Sequence, residues 1–95
     1  MAKVVALWSK PEEVDAFEKE YLDEHIPMAR ALEGVNSVTT NLVVSGEYYR
    51  IAELEFSSVE ALGTSMGSDG GQRLRGHAEA MCERYGASLS LLVVD

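Results

Sequence analysis

Apolar and polar residues follow two different periods along the chain, and these periods predict a series of strands and helices. Residues 3–8 form a short apolar run rich in strand-forming side chains, which predicts a first strand. Beyond Ser9 the apolar positions recur every three or four residues, as they do on the buried face of a helix. This first helical stripe consists of Val14, Phe17, Tyr21, His25, Met28 and Leu32.

The two ends of this helix carry their own signals. Ser9 followed by Glu12 fits a capping box, which predicts that the helix begins just after Ser9. Pro27 lacks the backbone N–H that a continuing helix needs, and its ring would clash with the carbonyl of Asp23. We therefore expect the regular helix to end or kink near His25.

The middle of the chain predicts two strands joined by a turn. Residues 35–44 and 48–56 are rich in strand-forming side chains. Between them, Ser45, Gly46 and Glu47 have the composition of a hairpin turn. We therefore expect the two strands to pair in antiparallel orientation.

A short helix and a loop are expected next. Ser57 and Glu60 form a second possible cap, which would open a helix through about Leu62. Residues 63–71 are rich in glycine, and this composition favours a loop.

The final part of the chain predicts a longer helix and a last strand. Ser68 or Asp69 is placed to cap this helix, and Gly86 is placed to end it. Residues 88–94 predict the final strand. The inward stripe of this last helix consists of Leu74, His77, Ala78, Met81 and Tyr85.

The order β-α-β-β-(short α)-α-β is that of the ferredoxin-like α+β fold, with a four-stranded antiparallel sheet and the helices on one face. Residues 1–95 would form a single domain of this kind. An antiparallel sheet with one wet face should alternate apolar and polar residues, yet residues 4–8, 42–44 and 91–94 are apolar at both parities. We therefore expect a homodimer in which two sheets pack face to face, as in a dimeric α/β barrel.

Composition and charge narrow the range of partners. The chain carries 8 Lys and Arg against 16 Asp and Glu, a net charge of −8, which argues against nucleic acid as a partner. Its single cysteine, Cys82, cannot form an internal disulfide. No leader or apolar run of membrane-spanning length is apparent. We expect a cytoplasmic protein with no membrane partner and no metal site.

His25 is the most informative position for chemistry, because it occupies an inward place where the period calls for an apolar residue. Its imidazole would suit a general acid or base. Burial would lower its pKa, whereas the nearby Asp23 and Glu24 would raise it, and the sequence leaves the balance open. Tyr21, one turn earlier, is a candidate donor to His25 or to a ligand carbonyl.

A second group of residues is expected around the same cleft. His77 lies on the last helix, whose face is directed at the sheet, so that the two histidines could approach each other across one cleft. An ordinary surface histidine is the alternative for His77. The expected apolar lining of a ligand pocket is Trp8, Phe17, Met28, Met66 and Met81, with an ordinary core position as the alternative for each.

Part of the first helix resembles a known family signature. The pattern Phe17-x3-Tyr21-x3-His25-x-Pro27-x-Ala29, followed by Leu32 and Gly34, resembles that of the EthD-like family, small proteins of the dimeric α/β-barrel superfold. The family often has proline where this chain has Glu33, and this departure affects only the turn. The resemblance implies a homodimer with a cleft between helices and sheet in each subunit.

The resemblance leaves the reaction open. Relatives in the superfold include lactone isomerases, polyketide cyclases, decarboxylases, cofactor-free monooxygenases and haem-degrading enzymes, so the fold does not select one of them. Our leading hypothesis is a protein that binds or converts a small, largely apolar organic molecule without a cofactor, with His25 as acid or base. The alternatives are a non-enzymatic dimeric carrier or accessory protein, and a haem-binding monooxygenase with His77 as axial ligand, although Leu7 stands where related haem enzymes carry asparagine.

Overall fold

The computed structural model describes residues 1–95 and contains a four-stranded antiparallel sheet in the order β2-β3-β1-β4. The strands are β1 (Ala2–Trp8), β2 (Ser37–Leu42), β3 (Arg50–Phe56) and β4 (Leu89–Val94). The helices are α1 (Val14–Glu20), a π-helical segment (Tyr21–His25), α2 (Ile26–Arg30), α3 (Val59–Gly67) and α4 (Asp69–Tyr85). The predicted ferredoxin-like α+β fold is confirmed.

The helices cover one face of the sheet, and the strands show this in their burial. Alternate residues of β1 and β3 are buried, beginning at Ala2 and at Arg50. These side chains meet Phe17, Tyr21 and other apolar residues of the helices to form one core. None of the helices is both long and apolar enough to cross a membrane.

Pro27 changes the helix where the sequence predicts a change, but the helix does not end there. The backbone N–H of Ile26 donates to the carbonyl of Tyr21, five residues earlier, which is the π-helical pattern. This local widening accommodates Pro27 at the start of α2, and helical backbone continues to Arg30. Because of this segment, the long first helix keeps both Tyr21 and His25 buried.

The predicted cap at Ser9 is wrong. α1 begins at Val14 with no side-chain cap, and the Ser9 hydroxyl instead accepts a hydrogen bond from the backbone N–H of Ser88 at 2.8 Å. The residues before α1 are bound elsewhere, since the N–H of Glu12 donates to the carbonyl of Tyr85 at 2.8 Å. Contacts with the end of α4 therefore replace the local capping box.

The short helix is longer than predicted. Ser58, not Ser57, caps α3 by accepting from the N–H of Ala61 at 3.0 Å, and α3 continues past Leu62 to Gly67. Glycine is a weak helix former, but burial of one face of α3 outweighs that preference.

Both predicted boundaries of the last helix are confirmed. Ser68 caps α4 by accepting from the N–H of Gly71 at 3.2 Å. Gly86 follows the helix in the left-handed conformation, with φ of 68°. Gly71 permits the tight α3–α4 junction, because a Cβ there would lie 2.4 Å from the carbonyl oxygens of Ser65 and Met66.

The outer face of the sheet is not covered within the chain. Leu7 lies between Ile51 and Ser90 on this face, and Val5 lies between Glu53 and Leu92. On the edge strand β4, Leu91 and Val93 of the helix side are also exposed, Val93 by 60%. The apolar residues at both parities of β4 are therefore uncovered on both faces of the single chain. The sheet-to-sheet homodimer stays a prediction.

Candidate functional site

A cavity of about 470 Å³ opens between α4, α2 and the inner face of the sheet. Its wall is mostly apolar, and several of its residues are alanines, whose short side chains leave the space empty. Small-molecule sites typically enclose several hundred Å³ and have this kind of lining. The apolar part of the wall includes Val4, Ala6, Trp8, Ile26, Ala29, Ala52, Leu54, Met66, Leu74, Ala78, Cys82, Ala87, Leu89 and Leu91.

The polar residues of the wall are three charged side chains, Ser88 and His25. Arg75, Glu79 and Glu83 follow one another at helical spacing on α4 and are exposed, so they border the mouth of the cavity. His25 is 7% exposed and comes from the π-helical segment. It is the one titratable imidazole in the wall.

His25 is held by the other histidine of the chain. Its Nδ1 lies 2.9 Å from Nδ1 of His77, and the two rings stack with their centroids 5.1 Å apart. The predicted approach of the two histidines is confirmed. The opposite side of the His25 ring meets Tyr21, with 5.7 Å between the ring centroids, and the edge of Trp8 lies 5.5 Å away.

A carboxylate continues this chain of contacts. Glu20, the last residue of α1, has its Oε2 2.7 Å from Nε2 of His77. Its other oxygen accepts hydrogen bonds from Arg84 Nη1 and from the Tyr85 hydroxyl, each at 2.5 Å. Glu20, His77 and His25 thus form a continuous hydrogen-bonded series that leads from the helix surface to the cavity.

The electrostatic environment gives the members of this series different charges. Hydrogen bonds from Arg84, Tyr85 and His77 lower the pKa of Glu20 to about 2, so this carboxyl is ionised at neutral pH. Burial, with a further contribution from His77, lowers the pKa of His25 to about 4, so its imidazole is neutral. Burial therefore outweighs the nearby acidic residues, which answers the question that the sequence left open.

The free nitrogen of His25 is available to a ligand. The ring makes one hydrogen bond, through Nδ1, and Nε2 has no protein partner. Trp8 Nε1 is the only fully buried side-chain nitrogen or oxygen without a partner, so Nε2 of His25 keeps contact with accessible space. Since His25 lines the cavity, this neutral imidazole nitrogen is the candidate group for contact with a ligand.

Only some of the other predicted site residues line the cavity. Trp8 and Met66 line the cavity, whereas Phe17 and Met81 are fully buried in the core. Met28 lies in the wall of a separate surface depression with Leu32, Glu33, Asp69 and Arg73. His77 reaches the cavity only through His25.

Tyr21 supports His25 through its ring and does not donate to it. The Tyr21 hydroxyl lies 2.8 Å from Thr40 Oγ1, and its ring is fully buried. Burial raises the pKa of Tyr21, which keeps the phenol protonated.

Sequence reasoning missed a buried ion pair beneath this aromatic group. Arg50 is 6% exposed and binds Glu18 through two hydrogen bonds, of 2.6 and 2.9 Å. It also donates to Thr40 at 3.2 Å, and its guanidinium lies 4.9 Å from the centre of the Tyr21 ring. Burial of Arg50 could have been predicted, because alternate residues of a strand share a face and Arg50 lies two residues before the buried Ala52. Glu20 carried no comparable signal, because its role depends on α4.

Glu20, Glu24 and His77 have potential metal-ligating atoms within 4.8 Å of one another. However, Glu20 and His77 already bind each other, and Glu20 also accepts from Arg84 and Tyr85. A metal ion would have to break these bonds, so we interpret the group as a hydrogen-bonding network.

His77 does not fit the role of an axial ligand to haem either. Both ring nitrogens of His77 are hydrogen-bonded, to His25 and to Glu20. Leu7 belongs to the outer face of the sheet, whereas its neighbours Ala6 and Trp8 line the cavity.

Comparison with solved structures shows the same fold along the whole chain. An EthD family protein from Bacillus halodurans C-125 is similar with a TM-score of 0.91 and 24% identity, over 100% of this chain and 97% of that one. A DABB family protein with a ferredoxin-like fold from Mesorhizobium loti has a TM-score of 0.78 and 12% identity, over 99% and 94% of the two chains. SnoaB, a cofactor-independent oxygenase from Streptomyces nogalater, has a TM-score of 0.70 and 6% identity, over 99% and 90%.

The predicted resemblance to EthD proteins is thus confirmed as a likeness of fold over the full chain. No protein-family model and no curated relative matches the sequence. The identities, 24% or lower, show a common fold and carry over no activity or reaction.

Proposed function

We propose that this protein binds a small, largely apolar organic molecule in the cavity and converts it by proton transfer at a carbon next to a carbonyl group. Isomerisation and cyclisation begin with removal of a proton from that carbon, whereas decarboxylation releases CO₂ and ends with delivery of a proton to it. The observation that carries the proposal is the neutral His25, whose unpartnered Nε2 is the single imidazole nitrogen in an otherwise largely apolar wall.

The cavity selects the ligand by polarity and size. Its volume of about 470 Å³ suits a molecule of drug-like size. A charged ligand would lose its hydration against the alanines and leucines of the wall, which is costly without a paired charge. The charged residues Arg75, Glu79 and Glu83 stand only at the mouth, so the ligand body is neutral and apolar.

His25 has the properties of a general base in this wall. A base must be unprotonated before the reaction and must face the substrate site; His25 is neutral and lines the cavity. Tyr21 stacks on the ring and holds its orientation. The chemistry requires no bound cofactor, since the proton moves between substrate and protein.

The cavity also bears on the carrier alternative. A carrier or accessory protein of this fold could have filled the space between helices and sheet, with its histidine bonded to backbone. This chain instead leaves the space open and bonds His25 to a second histidine. An open cavity suits a carrier as well as an enzyme, so it is the neutral imidazole in the wall that favours proton transfer over carriage alone.

The proposal can be tested without knowledge of the natural substrate. A panel of small neutral aryl and alkyl ketones is incubated with the protein in D₂O, and deuterium uptake at the carbon next to the carbonyl is followed by mass spectrometry. We expect exchange above the buffer rate, loss of that exchange in His25→Gln, and loss of ketone binding in Ala78→Phe, which fills the cavity.

Met28→Leu is the matched control, since Met28 is absent from the cavity wall. It should keep both ketone binding and exchange. Ketone binding without deuterium exchange would indicate a carrier and would overturn the proposed reaction. Failure to bind any ketone of the panel, or exchange that persists in His25→Gln, would contradict the proposed site.

We also propose that two copies of the chain pack through the outer faces of their sheets. The apolar side chains on that face form a patch across β3, β1 and β4, which includes Leu7, Ile51 and Leu92. Contiguous apolar patches of this kind are typical of protein interfaces. Lys3, which pairs with Glu53 at 3.4 Å, borders the patch.

The assembly is tested by size-exclusion chromatography with light scattering. The chain should elute with twice its mass, Leu7→Glu should give single chains, and Thr64→Glu, at an exposed position of α3 in the helix layer, should leave the dimer intact. A wild-type chain that stays single at all concentrations would contradict the proposal.

A further inference from the structure

His25 is hydrogen-bonded to a second histidine, and the atoms that form this bond restrict where each ring can carry its hydrogen. The bond between them joins Nδ1 to Nδ1, so one and only one of these two nitrogens carries the proton in it. A neutral His25 has one ring N–H. If His25 donates in this bond, the hydrogen is on Nδ1; if His77 donates, the hydrogen of His25 is on Nε2. The tautomer of His25 is therefore coupled to the protonation of His77.

Glu20 determines how the series is oriented. Its ionised carboxylate can only accept, so Nε2 of His77 must donate to it. When His77 is neutral, its Nδ1 is then a bare acceptor, and His25 must donate from its own Nδ1. A neutral His25 that holds its hydrogen on Nδ1 presents a lone pair at Nε2.

Protonation of His77 reverses this arrangement. The added proton resides on Nδ1 of His77, which then donates to Nδ1 of His25. His25 remains neutral and must hold its hydrogen on Nε2, where it faces the cavity as a donor. The ionised Glu20 beside His77 stabilises the cation in this second state.

We propose that Glu20 and His77 act as positioning residues that set the tautomer of His25, so that one imidazole serves as base or as acid at the cavity according to the proton on His77. This inference deepens the proposed function, on which its catalytic meaning depends. In the forward step the substrate C–H proton passes to Nε2 of His25, and the Nδ1 proton of His25 moves to His77. The electron pair of the C–H bond stays on the substrate as an enolate.

The surroundings of His77 favour this exchange. The charged and titratable groups that face it are Glu20 of α1, Glu24 and His25 of the π-helical segment, and Arg84 and Tyr85 of α4. Arg84 and Tyr85 bind the second oxygen of Glu20, which fixes the carboxylate against His77.

Imidazole nitrogen NMR tests this inference without any ligand. The chain has only two histidines, so long-range proton–nitrogen spectra of the ¹⁵N-labelled protein contain two sets of ring signals. As the pH is lowered, we expect His25 to change from the Nδ1–H to the Nε2–H tautomer in step with the protonation of His77, which the ring signals of His77 itself report. His77→Leu, which also assigns the signals, should leave His25 as Nε2–H throughout.

Glu20→Gln tests the role of the carboxylate, since the amide oxygen still accepts from His77 but carries no charge. We expect the tautomer change to move to lower pH by at least about one unit. Glu24→Gln is the matched control, because Glu24 lies in the same cluster but makes no hydrogen bond to His77. It should move the change by less than about half a unit.

Two results would overturn the inference. One is a wild-type His25 that remains Nε2–H at every pH, and the other is an equal shift in Glu20→Gln and Glu24→Gln. Amide spectra recorded on the same samples show whether each variant is folded. A tautomer change without ketone exchange would keep this inference and reject the proposed reaction, and exchange without the tautomer change would do the reverse.

Discussion

The two halves of the helix layer are filled in opposite ways. Over one half, the rings of Trp8, Phe17 and Tyr21 pack with centroids 5.3 to 5.7 Å apart and are fully buried. Over the other half, Ala52 of the sheet and Ala78 of α4 line the opening of about 470 Å³. One sheet supports both halves.

This contrast shows that side-chain volume decides where the cavity forms. The strands continue from one half to the other, and Trp8 itself has one side in the aromatic cluster and one in the cavity wall. Interiors are normally packed at high density, so a space of this size needs residues too small to fill it. His25 stands at the border, with Tyr21 on one side and the cavity on the other.

The largest expected effect concerns the aromatic half. Phe17→Ala removes a fully buried ring that contacts Trp8 and Tyr21, and it should lower the free energy of unfolding by about 3 to 5 kcal/mol. Urea denaturation followed by tryptophan fluorescence measures the change. A loss below about 1 kcal/mol would mean that this half is as loosely filled as the other.

Acid should destabilise the protein through His25 at the border of the two halves. The pKa of His25 is about 4 in the folded chain and near 6.5 when the chain unfolds, so the unfolded state binds more protons between these values. Stability is therefore complete above about pH 6.5 and falls as the pH drops toward 4, by up to about 3 kcal/mol.

Urea titrations at several pH values should show this loss in the wild type and a flatter profile in His25→Gln. Glu24→Gln keeps His25 and should retain the steep profile. An unchanged slope in His25→Gln would place the acid sensitivity elsewhere.

A smaller effect compares the inner and outer faces of the sheet. Arg50→Met leaves Glu18 without its two hydrogen bonds beneath the aromatic half, and it should cost about 2 kcal/mol. Lys3→Met removes an outer ion pair of 3.4 Å between partly exposed side chains, and it should cost less than about 0.5 kcal/mol. Chemical denaturation of both variants at low salt measures the difference, and equal losses would contradict the distinction between the faces.

The smallest effect tests whether the alanine half has room. Ala78→Leu places a larger side chain in the cavity and should change stability by less than about 1 kcal/mol. The same substitution at Ala2, a fully buried position that does not line the cavity, should cost about 1 to 3 kcal/mol through overpacking. Thermal denaturation compares the two, and equal losses would show that the cavity cannot accept added volume.

Much of the fold could be predicted because its signals are local. The stripe that contains Phe17 and Tyr21 faces the core as its spacing predicts, and Ser68 and Gly86 bound α4 where their backbone preferences place them. The errors at Ser9 and in the glycine-rich segment have the opposite origin. There, contacts with distant parts of the chain outweighed the local preference.

The candidate site was predictable only in part. His25 could be singled out because a polar residue interrupts an apolar period, and an approach of His77 could be expected because both helices face the sheet. The direction of the His25 pKa, however, depends on how many atoms surround the ring, and no spacing along the chain contains that information.

Three features could be predicted from the sequence alone: the order of the elements, the inward faces of the helices and the presence of one histidine on such a face. These follow from side-chain periodicity and from the backbone limits of proline and glycine. Only the tertiary structure decided that Glu20, His77 and His25 form one series and that the space beside them stays open. Hydrogen bonds and cavities depend on the positions of atoms from separate elements, and those positions exist only once the helices have packed on the sheet.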